Sequence, residues 1–174
     1  MKFIPTPING VYLTEPEKHV DERGFFERRF CEKEFIDAGI DVHIVQINRS
    51  RSNAIGTVRG LHYQTFPMEE LKIVQCLRGM IFDVAVDLRK ASPTYLKWHS
   101  EILSEDNGKQ LCIPKGCAHG FQTVSDNSEI LYFTDQFYSR EHERTVNYND
   151  PVIDINWPLP VSVISEKDRD AGFI

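Results

Sequence analysis

The histidine His62 lies in the densest polar segment of the sequence, which runs from Arg59 to Gln64. The segment reads as a β-strand, in which alternate side chains share a face, so Gly60, His62 and Gln64 are expected to face opposite to Arg59. An imidazole titrates near neutral pH, and a neighbouring glycine leaves space for a ligand. This pattern is typical of general acid–base chemistry. The alternative is a core histidine held by hydrogen bonds.

A second histidine, His119, closes the segment Pro114-Lys115-Gly116-Cys117-Ala118-His119. This segment matches the P-x-G-x-x-H signature that turns a histidine into the mouth of a cupin barrel. Metal-binding cupins pair it with an H-x-H motif and a glutamate, whereas this chain has His62-Tyr63-Gln64, a single histidine. Transition-metal sites usually need three or four protein ligands. We therefore expect no metal, and an acid–base role for the histidines.

Two further polar residues interrupt apolar strands. Lys72 lies between Leu71 and Ile73, and it is either an edge residue whose amine reaches water or a cation that stabilises an oxyanion in the barrel. Tyr132 lies in the apolar run from Ile130 to Phe133 and is either a core residue or a proton donor. Tyr138 follows this run, and its ring could stack on a ligand.

Arginines next to glycines indicate an anionic ligand. Arg23 precedes Gly24 and Arg59 precedes Gly60, and at such positions a phosphate can approach the backbone. A diphosphate suits two bidentate guanidinium groups.

The composition limits the remaining classes of function. The formal net charge is −6 and the isoelectric point about 5.5, which disfavours a general nucleic-acid surface. No stretch approaches the roughly 20 apolar residues of a membrane span, and the first residues do not resemble a signal peptide. The four cysteines contain no C-x-x-C pair and are expected to be reduced. We therefore expect a cytoplasmic protein with no nucleic-acid or membrane partner.

Many short segments rich in β-branched and aromatic residues predict a single all-β domain over residues 1–174, a sandwich or closed barrel. Arg78-Gly79 is expected to form a hairpin turn, and Glu32 to Ala38 a helix that Gly39 ends. Ser165 is expected to begin a short helix or turn. Predicted strands cover Val11–Leu13, Phe25–Phe30, Ile44–Asn48, Leu71–Leu77, Met80–Leu88, Trp98–Leu103, Leu111–Pro114, Phe121–Ser125 and Ile130–Phe137.

Ordered motifs over about Gly10 to Asp170 resemble the dTDP-4-dehydrorhamnose 3,5-epimerases, the RmlC-like cupins. They read D-E-R-G-F-F at 21–26, V-R-G-L-H-Y-Q at 58–64, G-M-I-F-D-V-A-V-D-L-R at 79–89 and S-P-T at 92–94. Further along the chain they read I-P-K-G-C-A-H-G-F at 113–121, Y-S-R-E-H-E-R at 138–144, I-N-W-P at 155–158 and I-S-E-K-D at 164–168. The resemblance implies an antiparallel cupin (jelly-roll) barrel with a few short peripheral helices. It also implies a homodimer with exchanged N-terminal strands, and no cofactor.

The resemblance further implies a reaction and a role for each matched residue. The substrate would be a nucleotide-linked 4-keto-6-deoxyhexose, inverted at carbon 3, carbon 5 or both through an enolate. His62 would be the base, Asp168 its orienting partner, Lys72 the group that stabilises the enolate oxygen and Tyr132 the acid on the opposite face. The residues matched to binding of the nucleotide sugar are Arg23, Gln46, Asn48, Arg59, His119, Tyr138, Glu143 and Lys167.

Three positions depart from the family pattern. Arg28 stands where the family has glutamate, Ile47 replaces an aspartate between Gln46 and Asn48, and Glu70 replaces a glutamine. Since Arg28 adds a donor where an acceptor is usual, a CDP-linked substrate is an alternative to a dTDP-linked one. The opposing interpretation is that Arg28 faces solvent, or that Glu27 takes the place of the usual glutamate through a local shift.

Three other functions compete with the 3,5-epimerase. One is an epimerase that inverts a single centre, and it would use the same base and acid. The others are a metal-dependent cupin, disfavoured by the missing H-x-H motif, and a non-catalytic sugar-binding cupin. The last is disfavoured because His62, Lys72, Tyr132 and Asp168 occur together.

Overall fold

Short antiparallel strands build nearly the whole molecule, and the computed structural model describes residues 1–174. Most strands alternate between core-facing and outward-facing side chains, as a two-layered β-fold requires. The strands are β1 Lys2–Pro5, β2 Tyr12–Glu15, β3 Lys18–Asp21, β4 Gly24–Glu27, β5 Gln46–Ser52, β6 Val58–Gln64, β7 Lys72–Arg78, β8 Met80–Asp87, β9 Trp98–Ser104, β10 Gln110–Ile113, β11 Cys117–Thr123, β12 Ser128–Thr134 and β13 Glu143–Thr145. The helices are α1 Glu32–Asp37 and α2 Glu166–Arg169.

Two sheets face each other across one interior. The six-stranded sheet has the order β1-β2-β10-β7-β12-β5, and the five-stranded sheet has the order β13-β6-β11-β8-β9. Side chains from both sheets form the central core, among them Leu13, Val74, Ile81 and Phe121. The predicted all-β cupin barrel with short peripheral helices is confirmed.

Each sheet also has a covered outer face. Phe35 of α1, fully buried, packs with Ile73 and Phe133 on the outer side of the six-stranded sheet. Leu61 and Val146 belong to a separate cluster with Val84 and Val86 of the five-stranded sheet. Polar side chains that point into the apolar interior between the two sheets are exceptions, and they mark the site.

Several local predictions are confirmed. Gly79 adopts a φ of +72° between β7 and β8, and Gly39 adopts a φ of +81° after α1. The hydroxyl of Ser165 accepts a hydrogen bond from the Asp168 backbone N–H at 3.1 Å and caps α2.

Several predicted strand limits are wrong by three or four residues. The strand expected over Phe25–Phe30 ends at Glu27, and the one expected from Phe121 begins at Cys117. The first stops because it pairs only with the four-residue strand β3 in a two-stranded hairpin. The second extends further because β11 is paired on both sides, with β6 and β8, so its small residues are held in the sheet. The strand expected over Ile44–Asn48 runs on to Ser52, and the one expected over Ile130–Phe137 ends at Thr134.

The pairing of β6 with β11 contains an irregularity that changes which side chains face inward. The register shifts between His119 and Phe121, and Gly60 has a φ of +125°. A Cβ atom on Gly60 would lie 2.5 Å from the Cα of Gly120, so only glycine permits this approach. A shift of one residue inverts the alternation, and Arg59 therefore lines the same cavity as His62. The expectation that Arg59 faces away from His62 is wrong.

No helix of the structure is both long enough and apolar enough to span a bilayer.

Candidate active site

A cavity of about 560 Å³ opens between the two sheets. Its walls come from β5, β7 and β12 on one side and from β6 and β11 on the other. Nine of the predicted site residues line it: His62, Lys72, Tyr132, Gln46, Asn48, Arg59, His119, Tyr138 and Glu143. The fold thus brings together residues that are up to about half the chain apart in sequence.

His62 and Asp168 form a hydrogen-bonded pair at the cavity wall. The Nε2 atom of His62 lies 2.7 Å from Oδ1 of Asp168, and the side chains are 31% and 5% exposed. The other carboxylate oxygen accepts from the Gly60 backbone N–H at 3.2 Å. Burial favours the neutral acid, but these hydrogen bonds and the charge of His62 outweigh it and hold the pKa of Asp168 below its ordinary value. Asp168 is therefore a carboxylate that fixes the ring and leaves Nδ1 of His62 for a ligand.

His119 and Asp83 form a second pair, deeper between the sheets. Nε2 of His119 lies 2.7 Å from Oδ1 of Asp83, and His119 stands directly opposite His62 in the pairing of β11 with β6. Asp83 is fully buried, and its Oδ2 atom has no hydrogen-bond partner. Burial raises the pKa of Asp83, and the charges of His119 and Lys72 only partly oppose this.

Lys72 begins β7 and reaches into the cavity from the six-stranded sheet. Its ammonium group lies 2.9 Å from Oε1 of Glu70 and 3.4 Å from the backbone oxygen of His62, to which it donates. The side chains of Lys72 and Glu70 are 11% and 12% exposed. Lys72 is thus a held cation at the cavity wall and not an edge residue that extends into solvent.

Tyr132 lies on β12, also on the six-stranded sheet, and packs against the central core. Burial raises the pKa of its phenol, and the negative charge of Glu70 adds to the effect. The phenol is therefore protonated at neutral pH and can donate a proton.

The mouth of the cavity carries a chain of polar contacts. The Tyr138 hydroxyl donates to Glu143 at 3.1 Å, and Lys167 pairs with the other oxygen of Glu143 at 2.7 Å. The side-chain oxygen of Gln46 accepts from the Tyr138 backbone N–H at 3.3 Å, and Asn48 is next to Gln46 on the same face of β5. The half-exposed ring of Tyr138 is available for stacking on a planar group.

Arg23 and Arg28 do not line this cavity in their own chain. Arg23 lies at the turn of the β3–β4 hairpin, 84% exposed, and pairs with Asp21 at 2.5 Å. Arg28 pairs with Glu34 of α1 at 2.8 Å and is 57% exposed. Their predicted contacts with the substrate are therefore not formed at this cavity within the chain.

Asp83 is not among the site residues predicted from the sequence. A signal was present, because Asp83 falls between Ile81 and Ala85 in the inward-facing alternation of β8. A charged residue at a core position of a strand is rare unless it is paired. Glu70 was predicted only to depart from the family pattern. Its contact with Lys72 could not be predicted from the fact that the two residues are two positions apart in the sequence.

The structure contains no group of three or more histidine, cysteine, aspartate or glutamate side chains placed to hold a metal ion. His62 and His119 are each turned toward a carboxylate of their own.

Comparison with known proteins gives a consistent result. The family model described as dTDP-4-dehydrorhamnose 3,5-epimerase matches residues 5–174. Enzymes of that name from Sinorhizobium fredii and Shigella flexneri are 49% and 47% identical, over 97% of this chain and 87% and 93% of their own lengths.

Solved structures agree with the sequence matches. The dTDP-4-dehydrorhamnose 3,5-epimerase from Bacillus anthracis, solved with TDP and PPi bound, has a TM-score of 0.96 and 41% identity, with 99% of each chain covered. The dTDP-6-deoxy-D-glucose-3,5-epimerase RmlC from Legionella pneumophila, solved in complex with dTDP-4-keto-L-rhamnose, has a TM-score of 0.93 and 42% identity, covering 99% of this chain and 92% of that one. This chain belongs to the dTDP-4-dehydrorhamnose 3,5-epimerase family.

Proposed function

We propose that this protein is an isomerase that inverts carbons 3 and 5 of a dTDP-linked 4-keto-6-deoxyhexose. The observation that carries the proposal is the placement of a base and an acid on facing walls: His62 on the five-stranded sheet and Tyr132 on the six-stranded sheet. A sugar ring held between them would meet a base on one face and an acid on the other, as inversion requires.

His62 is proposed to remove the proton from the carbon next to the ketone. The electrons of the broken C–H bond form a carbon–carbon double bond, and those of the C4 carbonyl move onto its oxygen. Asp168 accepts the Nε2–H of His62, so it keeps Nδ1 free as the base and stabilises the imidazolium that forms.

Lys72 is proposed to stabilise the enolate oxygen at carbon 4. A preorganised donor in a site that excludes water is typically worth a factor of about 10²–10³ in rate. Its low exposure and fixed contacts support this role.

Tyr132 is proposed to return a proton to the carbon from the opposite face. Its O–H bond breaks, the new C–H bond forms and the C4 carbonyl is restored. Solvent then reprotonates the phenolate and takes the proton from His62. The raised pKa of Tyr132 supports this assignment, since the group stays protonated between turnovers. The cycle consumes no oxidant or reductant.

The nucleotide sugar is proposed to be bound by Arg59, His119, Gln46 and Asn48, with its base stacked on Tyr138 toward the mouth of the cavity. Glu143 and Lys167 would border the same region. The dTDP in the names and complexes of the relatives supports a thymidine nucleotide. Arg28 is mostly exposed and engaged by Glu34, which weakens its link to a CDP-linked substrate.

A single inverted centre is the second candidate. ChmJ from Streptomyces bikiniensis, described as a 3'-monoepimerase, has a TM-score of 0.90 and 30% identity over 97% of this chain and 86% of that one. The same fold thus accompanies inversion of one centre, so the number of centres must be measured.

A homodimer with exchanged N-terminal strands is also proposed. The β3–β4 hairpin exposes Val20, Phe25 and Phe26 by 77%, 62% and 65%, and a two-stranded hairpin is marginal alone. A second copy that covers these side chains would bring Arg23, at the hairpin turn, to a neighbouring cavity. Sedimentation of the Phe25→Asp, Phe26→Asp double variant is expected to give a monomer where the wild type gives a dimer. Equal masses would contradict the exchange.

We also propose that residues 1–174 form one domain and that the protein is cytoplasmic. One domain over residues 1–174 is supported by the core shared between the two sheets. A cytoplasmic location is supported by four free cysteines, of which Cys76, Cys112 and Cys117 are buried.

Product analysis by proton NMR tests the proposal. The enzyme is incubated with dTDP- and CDP-linked 4-keto-6-deoxyglucose, and the product's configuration at carbons 3 and 5 is read from its coupling constants. We expect inversion at both centres and faster turnover of the dTDP-linked substrate. A product inverted at one centre would establish the monoepimerase, and binding without inversion would indicate the sugar-binding alternative.

A further inference from the structure

The carboxylate of Glu70 lines the cavity beside Lys72 but has no place in the mechanism so far. Asp168 and Asp83 hold histidines, and Glu143 pairs with Lys167 at the mouth. Glu70 instead contacts the cation proposed to stabilise the enolate, at 2.9 Å. A largely buried ion pair is weak evidence for stability, because desolvation of both charges offsets their attraction. Its position in the cavity therefore points to function.

The contacts of Lys72 define a direction for its ammonium group. An ammonium group has three N–H donors. Glu70 takes one at 2.9 Å, and the backbone oxygen of His62 takes a weaker one at 3.4 Å. With two donors directed at the protein, the third is free for a ligand. Without Glu70, only the long bond to His62 would hold a side chain with four rotatable bonds.

We propose that Glu70 is a positioning residue that directs the Lys72 ammonium group toward the ketone oxygen, and that its carboxylate, which lines the same cavity as Tyr132, disfavours ionisation of that phenol. The inference rests on the function proposed above and adds a residue that controls both the oxyanion stabiliser and the acid.

The charge environment of Tyr132 supports the second part. After burial, the negative charge of Glu70 contributes most to raising the pKa of Tyr132. Arg59 opposes this increase, and Glu143 adds less to it than Glu70 does. Besides Tyr132, the charged and titratable groups that line the same cavity are Arg59, His62, Tyr63, Glu70, Lys72, His119, Tyr138 and Glu143. Removal of the charge at Glu70 should therefore let Tyr132 ionise at lower pH.

Two substitutions of Glu70 distinguish its positioning of Lys72 from the effect of its negative charge on Tyr132. Glu70→Gln keeps an oxygen that can accept from Lys72 but removes the charge, whereas Glu70→Ala removes both. We expect Glu70→Ala to lower kcat roughly 10- to 100-fold with little change in KM, because a misplaced catalytic group costs about this much. Glu70→Gln should recover most of this loss, but the alkaline limb of its kcat profile should move to lower pH.

A matched control lies on the outer face of the same sheet. Glu129 on β12 has a side chain that is 9% exposed and pairs with Arg49, outside the cavity. Glu129→Gln makes the same chemical change to a mostly buried carboxylate, and its kcat and alkaline limb should match those of the wild type.

Deuterium incorporation at carbons 3 and 5, measured from about pH 6 to 10 for all four proteins, supplies kcat, KM and the pH limbs. Rescue of kcat in Glu70→Gln together with the shifted limb supports the proposal. An unmoved limb in Glu70→Gln, or wild-type kcat in Glu70→Ala, would overturn it. If Glu70→Ala does not fold, the limb of Glu70→Gln decides. A wild type that exchanges no deuterium would overturn the proposed function itself.

Discussion

Two histidine–carboxylate pairs lie side by side in this molecule with the same contact and different surroundings. In both, Nε2 of the histidine is 2.7 Å from Oδ1 of an aspartate. The His62 side chain is 31% exposed and that of His119 is 10% exposed. Asp168 is supported by a second donor, the Gly60 N–H, whereas Oδ2 of Asp83 has none.

Because of these different surroundings, folding shifts the pKa values of the two carboxyl groups in opposite directions. The pKa of Asp168 is lowered by its hydrogen bonds, and the pKa of Asp83 is raised by burial. A carboxylate that stays charged can stabilise an imidazolium as it forms, so the His62 pair suits proton removal. The His119 pair holds a ring in a more buried position at the cavity wall, which suits the binding of a ligand. Hydrogen-bond geometry alone would not distinguish these roles.

Replacing each of the two histidines should give the largest difference in kinetics between the two pairs. His62→Asn is expected to lower kcat by roughly 10²–10⁴-fold, because a general base contributes about this much. His119→Asn should act mainly through KM. Steady-state kinetics on the dTDP-linked substrate measure both, and a similar loss of kcat in the two variants would contradict the division of roles.

Replacement of the carboxylates should give a smaller difference in the same direction. Asp168→Asn leaves a partner that can present an N–H to His62 and so favour the wrong tautomer, with an expected fall in kcat on the order of 10²-fold. Asp83→Asn should lower kcat less. Circular dichroism spectra serve as the folding control, and a greater loss in Asp83→Asn would reverse the assignment.

The same two variants should respond oppositely to pH in stability. Folding lowers the pKa of Asp168, so its stabilising contribution is present above the ordinary pKa of 3.8 and is lost as the pH falls through the lowered pKa. Folding raises the pKa of Asp83, so its stabilising contribution is fully present below pH 3.8 and is lost as the pH rises through the raised pKa. At pH 7, Asp168→Asn should therefore be less stable than the wild type and Asp83→Asn more stable.

Urea unfolding at pH 7 and pH 4, at a fixed protein concentration, measures these differences. The gain of Asp83→Asn should shrink at pH 4. A loss of stability in Asp83→Asn at pH 7 would show that Asp83 is stabilised as an ion.

The smallest expected effect on kcat comes from the secondary structure that supports each aspartate. Asp168 lies on the four-residue helix α2, which Ser165 caps, whereas Asp83 lies in the middle of β8. Ser165→Ala should cost about 1 kcal/mol of local stability at the cap and lower kcat severalfold, with KM little changed. An altered KM with unchanged kcat would place Ser165 in binding and not in the support of His62.

The sequence was sufficient to predict most of the fold and much of the site. Alternating apolar residues and turn signals located the β7–β8 hairpin and α1, and the motifs identified His62, Lys72, Tyr132 and Asp168. The inward direction of Arg59 was not predictable, because it depends on a register shift between β6 and β11. The Asp83–His119 pair depends on two strands, β8 and β11, whose pairing the sequence does not specify residue by residue.

Solvent deuterium incorporation tests the central claim most directly. The dTDP-linked 4-keto-6-deoxyglucose is incubated in deuterium oxide with wild type, His62→Asn and His119→Asn at saturating substrate, and carbons 3 and 5 are followed by proton NMR. We predict deuterium at both carbons with wild type and with His119→Asn, and almost none with His62→Asn. Deuterium entering at an undiminished rate with His62→Asn would contradict the account, because another group would then be the base.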